Sequence, residues 1–249
     1  MLAKAGNRVD ALQCGTHAPK FHEVRGEVPP PPPWSPLAHN CSGKHSGMLA
    51  FCAQCGWSSE DYLAWGHPLQ QRVRRAVAHY AGVDEAALPW GIDGCSAPNY
   101  ALPLANLAYA YARLAGDEAD PEYGVAARTL ADAMTAYPEM ISGEGRSDLA
   151  LATAGRGDLV AKVGAEGVQA IGVRSRGIGI AIKVADGAAR GLHPATVAVL
   201  EQLGLLDGRQ REALAPWRQP TVRNCRGIVT GEVRPLVVLD KSDRRRVQK

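Results

Sequence analysis

Leu159-Val160-Ala161-Lys162-Val163, Val168-Gln169-Ala170-Ile171-Gly172-Val173 and Ile178-Gly179-Ile180-Ala181-Ile182-Lys183-Val184 are runs rich in valine and isoleucine, parted by glycine-bearing turns. Runs of this kind read as short strands, and three in succession predict an antiparallel meander. His193-Pro194 then opens a helix through Leu203, and Val229 to Leu239 offers one or two more strands. Upstream the texture is helical. Gly47 to Cys55 carries Met48, Phe51, Cys52 and Cys55 on one stripe and stops at Gly56; Pro68 opens a helix with Leu69, Val73, Ala76, Val77 and Tyr80 on a face. Two more helices are expected over Leu104 to Leu114 and from Asp120-Pro121 to before Pro138. Met1 to Leu12 reads as the tail of a helix without an N-terminal cap, Cys14 to Phe21 as loop, and Pro29 to Pro33 as a stiff polyproline spacer. The fold class is therefore α/β, in α+β layers rather than a parallel doubly wound sheet. One domain is expected, with a mostly helical part over 1–157 holding the cysteine loops, an antiparallel sheet part over 158–239 and a basic tail over 240–249.

Bulk composition narrows the function classes. The chain has 249 residues, 46% of them hydrophobic, enough to bury a substantial core. Its formal net charge is +3, and the stretch 240–249 accounts for all of it, so the near-neutral body argues against nucleic acid as partner. No apolar run reaches the length of a membrane helix and the start lacks a secretion signal, which predicts a cytoplasmic protein with no membrane partner. Six cysteines over this length suggest free thiols or metal ligands rather than a disulfide framework.

The chemistry concentrates in His39-Asn40-Cys41-Ser42-Gly43-Lys44-His45-Ser46-Gly47 and Asp93-Gly94-Cys95-Ser96-Ala97-Pro98. Each sets a cysteine among glycines and small polar residues, where backbone can approach a ligand closely. Cys41 and Cys95 are candidate thiolate ligands, with Lys44 between them and His39, His45 and Asp93 adjacent; zinc favours such donors. Lysine binds a metal only as the neutral amine, and deprotonating it at pH 7 costs about 4.6 kcal/mol. Such a site should release protons on binding and lose affinity as pH falls. Cys52-Ala53-Gln54-Cys55 imitates a metal or redox hook, but it lies on a predicted helix, where small buried cysteines are ordinary core.

These two stretches, with Gly145-Arg146-Ser147-Asp148 and Leu159 to Gly167, resemble the asparaginase II family, the Rhizobium etli type L-asparaginases; the resemblance runs from Met1 to about Pro235. It implies a β-lactamase-like or penicillin-binding-protein-like fold, a homodimer, and hydrolysis of L-asparagine to L-aspartate and ammonia, with zinc. Carried over by position, Cys41, Lys44 and Cys95 match the metal ligands and Asp93 the adjoining shell, while His45 and Arg146 match positions near the substrate. Lys162 matches one lysine of the two serine–lysine pairs that perform the chemistry. Ser46 stands where alanine is typical, Ser96 where glycine is common, and the usual doubled asparagine is a single Asn40. Cys41, Lys44 and Cys95 are expected to converge on one cation next to the Lys162 side chain.

The family's serines lie ahead of the region that aligns with Met1, and no Ser-x-x-Lys occurs anywhere in the 249 residues. An N-terminally truncated domain is therefore expected, from a gene model begun at an internal methionine or a genuine truncation, with an exposed sheet edge and poor solubility. The alternative function is a catalytically inactive zinc-binding remnant that binds an amino acid or a partner. A lactam-directed relative is disfavoured because the metal loops have no purpose in that chemistry. Asparagine and glutamine differ by one methylene, worth only about 1–3 kcal/mol in a pocket, so the preference between them stays open.

Overall fold

The computed structural model describes residues 1–116 and 118–240, and within it the chain divides into two compact units, Met1–Asn106 and Leu107–Lys249. The residues 241–249 of the basic tail lie outside the described ones.

The first unit holds α1 (Lys20–Arg25), α2 (Ser42–Cys55), α3 (Pro68–Ala81) and a two-stranded antiparallel hairpin, β1 (Trp90–Ile92) with β2 (Pro98–Tyr100). Its core gathers Leu12, Cys14, Leu49, Cys52, Tyr62, Leu69, Cys95 and Ala97. The expected helix over Met1 to Leu12 is instead two short 3-10 turns, Ala3–Ala5 and Val9–Ala11. Gly6, at φ 70°, turns the chain left-handed between them, and Asn7 Nδ2 donates to the carbonyls of Ala5 and Leu49, so side-chain bonds replace helical ones. Cys52 is fully buried, as expected of a core cysteine, whereas Cys55, one turn later, is exposed and leaves the predicted stripe.

The second unit takes most of α4 (Leu104–Gly116), then α5 (Gly124–Ala136), α6 (Ser147–Gly155), β3 (Leu159–Gly164), β4 (Val168–Val173), β5 (Ile178–Lys183), α7 (Ala189–Gln202), α8 (Gly208–Arg218) and the hairpin β6 (Thr221–Arg223) with β7 (Val229–Glu232). The three central strands form the expected antiparallel meander in the order β3-β4-β5. Alternation along β3 divides the unit into layers. Leu159 and Ala161 join the main core with Leu151, Val197, Leu200 and Leu214 from α6, α7 and α8. Val160 points the other way, onto Ala115 of α4 and Ala131 of α5. On that face Gly172 and Gly179 let the α4 backbone lie directly on the sheet, since a Cβ at either would enter the carbonyl of Tyr111 or Ala108.

Four helices differ from the sequence-based expectation: α1 begins inside the stretch expected to be loop and α6 was not expected, and α7 and α8 differ as follows. α7 begins at Ala189, so Pro194 sits inside it rather than at its first turn. α8 was not anticipated; it is set by a capping box in which Asp207 and Gln210 each accept the other's backbone N–H. Among the described residues no helix is long and apolar enough to cross a membrane.

Candidate metal centre and strand lysine

Two local structures in the first unit bring the cysteine motifs together. Cys41 caps the start of α2, its N–H donating to His39 Nδ1 at 3.0 Å, which puts Lys44 and His45 in the helix's first turn. The other motif forms the tip of the β1–β2 hairpin. There Asp93 Oδ1 accepts the N–H groups of Cys95 (2.8 Å) and Ala97 (3.2 Å), an Asx turn that aims the Cys95 thiol inward. Ser96 at the turn has φ 69°, the left-handed region that glycine enters at no steric cost, which accounts for glycine being common there.

The Cys95 sulfur is the meeting point. Lys44 Nζ stands 3.0 Å from it and 3.4 Å from Asp93 Oδ2; His45 Nε2 stands at 3.3 Å. Tyr62 Oη accepts the Gln13 N–H at 2.9 Å and pairs with His45 Nδ1 at 2.7 Å; when the phenol gives its proton to Nδ1, Nε2–H is the donor to the sulfur. Burial, aided by the Lys44 charge, brings the His45 pKa down to about 4, so the ring is neutral near pH 7.

The remaining charges are set by the same contacts. For Lys44, burial acts downward but is outweighed by the hydrogen bond to Cys95 and by the charges of Cys95, Asp93 and Cys41, so its pKa rises. Asp93 is held below the usual carboxylate range: burial opposes this, but hydrogen bonds from Cys95 and the Lys44 charge prevail. Burial, then the bond to Asp93, pushes the Cys95 thiol up. Cys41 enters this cluster through its influence on Lys44 and its packing against the core that holds Cys95; Asn40 Nδ2 donates to its sulfur at 3.6 Å.

Among the described residues no group of three or more His, Cys, Asp or Glu side chains is arranged to hold a metal ion. The candidate set of two cysteines and a lysine contains only two such side chains, so it depends on Lys44. Its donor chemistry, two sulfurs and an amine, suits a borderline-soft cation such as zinc.

Tyr62 escaped the sequence reading because nothing in Asp61-Tyr62-Leu63 marks a phenol that bonds 17 and 49 residues away. It is fully buried, and Tyr62→Phe would strand the Gln13 N–H and His45 Nδ1. A loss of about 1–3 kcal/mol is expected in urea unfolding of the full chain.

Lys162 and Arg146 belong to the second unit. Lys162 projects from β3 with its side chain exposed, and Nζ donates to the Val163 carbonyl at 2.6 Å. Arg146 is the N-cap residue of α6, half-buried, on a groove of about 500 Å³ shared with Arg156, Arg209 and Trp217. The family model described as L-asparaginase II matches residues 1–235. No curated protein matches the chain.

Proposed function

The chain belongs to the L-asparaginase II family, and on that premise we propose that it supplies the zinc-binding loops and the catalytic lysine of an amide hydrolase of the Rhizobium etli type, acting on L-asparagine. The single observation carrying this is the family match over 1–235, which includes both cysteine motifs, Gly145-Arg146-Ser147-Asp148 and the Lys162 strand.

Cys41, Lys44 and Cys95 would hold the zinc, with Asp93 fixing both Lys44 and the Cys95 turn. Zinc bound there would supply a positive centre cross-linking the start of α2 to the β1–β2 tip. His45, with Nε2 3.3 Å from the Cys95 sulfur, would donate a hydrogen bond to the metal-bound thiolate. Lys162 is the amine that would take a proton from a serine hydroxyl, and Arg146 a cation suited to the carboxylate of the substrate. The meander with α4 and α5 on one face and α6 to α8 on the other supports a β-lactamase-like arrangement; a cytoplasmic homodimer is the form we assign to the enzyme.

A second reading, a zinc-binding protein without turnover, is favoured by one observation: the 249 residues contain no Ser-x-x-Lys. Ammonia release from L-asparagine separates the readings. The 249 residues by themselves are expected to bind zinc and release no ammonia; turnover by this pure chain would overturn the serine–lysine account. An in-frame Ser-x-x-Lys encoded ahead of Met1, in a product that hydrolyses L-asparagine and loses at least about 100-fold on Lys162→Met, supports the enzyme. A stop codon there supports the second reading.

A further inference from the structure

The Asp148 carboxylate is the polar hub of the second unit. It is 2% exposed, in the first turn of α6. Its Oδ2 accepts the Val163 N–H at 2.7 Å and its Oδ1 accepts from Gln169 Nε2 at 3.0 Å. Val163 and Gln169 oppose each other in the β3–β4 register, yet the Val163 N–H goes to α6 rather than across the ladder. They are thus a non-hydrogen-bonded pair, and Asp148 caps an N–H that the edge strand β3 would otherwise present unpaired. The Asp148 charge is felt by Tyr111 of α4, whose phenol burial and that charge push up to about 12, and by His193 of α7, lowered by burial against the pull of Asp148.

Val163 is the residue next to Lys162. It gives its N–H to Asp148 and its carbonyl to Lys162 Nζ, so one residue joins the buried carboxylate to the exposed amine. Alternation sends the Lys162 side chain to the opposite face of β3 from Val163, so a slip or twist of β3 at Val163 would redirect it.

We propose that Asp148 is a positioning residue for Lys162: by holding the Val163 N–H it fixes the stretch of β3 from which the lysine projects. The proposal rests on the reading of Lys162 as the functional amine. Gln169 supplies a built-in control. Its Oε1 is buried without a hydrogen-bond partner among the described residues, so in Asp148→Asn a flip of the Gln169 amide turns Oε1 to accept from the new amide while the Asn oxygen keeps the Val163 N–H. Asp148→Ala loses both bonds.

The test is NMR on the full chain with lysine labelled at Cε and Nζ, together with amide hydrogen exchange. Asp148→Ala is expected to speed exchange at Val163 about tenfold or more and to move the Lys162 signal, whereas Asp148→Asn keeps both near wild type. An unmoved Lys162 signal in Asp148→Ala, beside faster exchange at Val163, would overturn the proposal. Should Asp148→Ala fail to fold, two measurements decide. Protection of the Val163 amide in wild type, with an unmoved Lys162 signal in Asp148→Asn, supports the proposal; an unprotected Val163 amide or a displaced signal overturns it. Neither readout depends on turnover, so a Lys162→Met enzyme that still released ammonia would refute the role of Lys162 separately.

Discussion

Cys95→Ala is expected to lower zinc affinity of the full chain by at least about 100-fold, and Cys55→Ala, on the same protein, to leave it unchanged. The two cysteines differ in everything that matters to a ligand. Cys95 is 2% exposed, carried on a turn that Asp93 closes with two backbone bonds, and approached by Lys44 and His45. Cys55 ends α2 with an exposed thiol. Replacing Cys95 removes one of only two sulfurs in the candidate set, and among the described residues no group of three His, Cys, Asp or Glu side chains is arranged to hold a metal in its place. Asp93→Ala should act in the same direction through the turn, because Cys95 and Ala97 would lose their common acceptor. Titration of the metal-free chain with zinc alone, followed by calorimetry, reads all three variants.

The second large effect is mechanical. Gly179→Ala should destabilise the second unit by about 3 kcal/mol or more, about 10 °C in its unfolding midpoint. The added methyl would stand 2.7 Å from the Ala108 carbonyl carbon and 2.8 Å from the Ala112 nitrogen. Those are backbone atoms of α4, so no side chain can swing aside; the helix must lift from the sheet. Gly208→Ala is the matched control, since nothing lies within 4 Å of a Cβ there and the backbone needs no left-handed φ. Its midpoint should stay or rise slightly, given the better helix propensity of alanine.

The parts of the fold that could be read from the sequence are those whose signal is local. β3, β4 and β5 were legible because each β-branched run is closed by a glycine turn, and Val168–Val173 coincides with its expected bounds. The starts and ends of the helices were harder. Pro194 carries the mark of a first helical turn, yet Ala188 already serves as N-cap, so the helix starts five residues ahead of the proline. α8 has a sparse apolar stripe and an internal Pro216, both of which mask it; the legible signal was Asp207-Gly208-Arg209-Gln210, the two ends of its capping box. The opening helix failed on Gly6, whose left-handed turn breaks a pattern that residue spacing alone makes continuous.

The candidate site divides in the same way. Cys41, Lys44, His45, Asp93 and Cys95 were identified by composition and motif, and the structure places Lys44, His45, Asp93 and Cys95 in one hydrogen-bonded cluster. Tyr62, which pairs with His45, and Gln13, which donates to Tyr62, come from separate segments and leave no mark on the motif. The Asp148 clamp was hidden for the same reason, since its two partners lie 15 and 21 residues further on, in two strands.

Zinc K-edge X-ray absorption on the full chain loaded with one equivalent of zinc decides whether Cys41 and Cys95 share an ion. Two sulfur neighbours with nitrogen or oxygen in the remaining positions are expected, falling to one sulfur in Cys95→Ala. A zinc shell free of sulfur, or one unchanged by that substitution, would contradict the shared site.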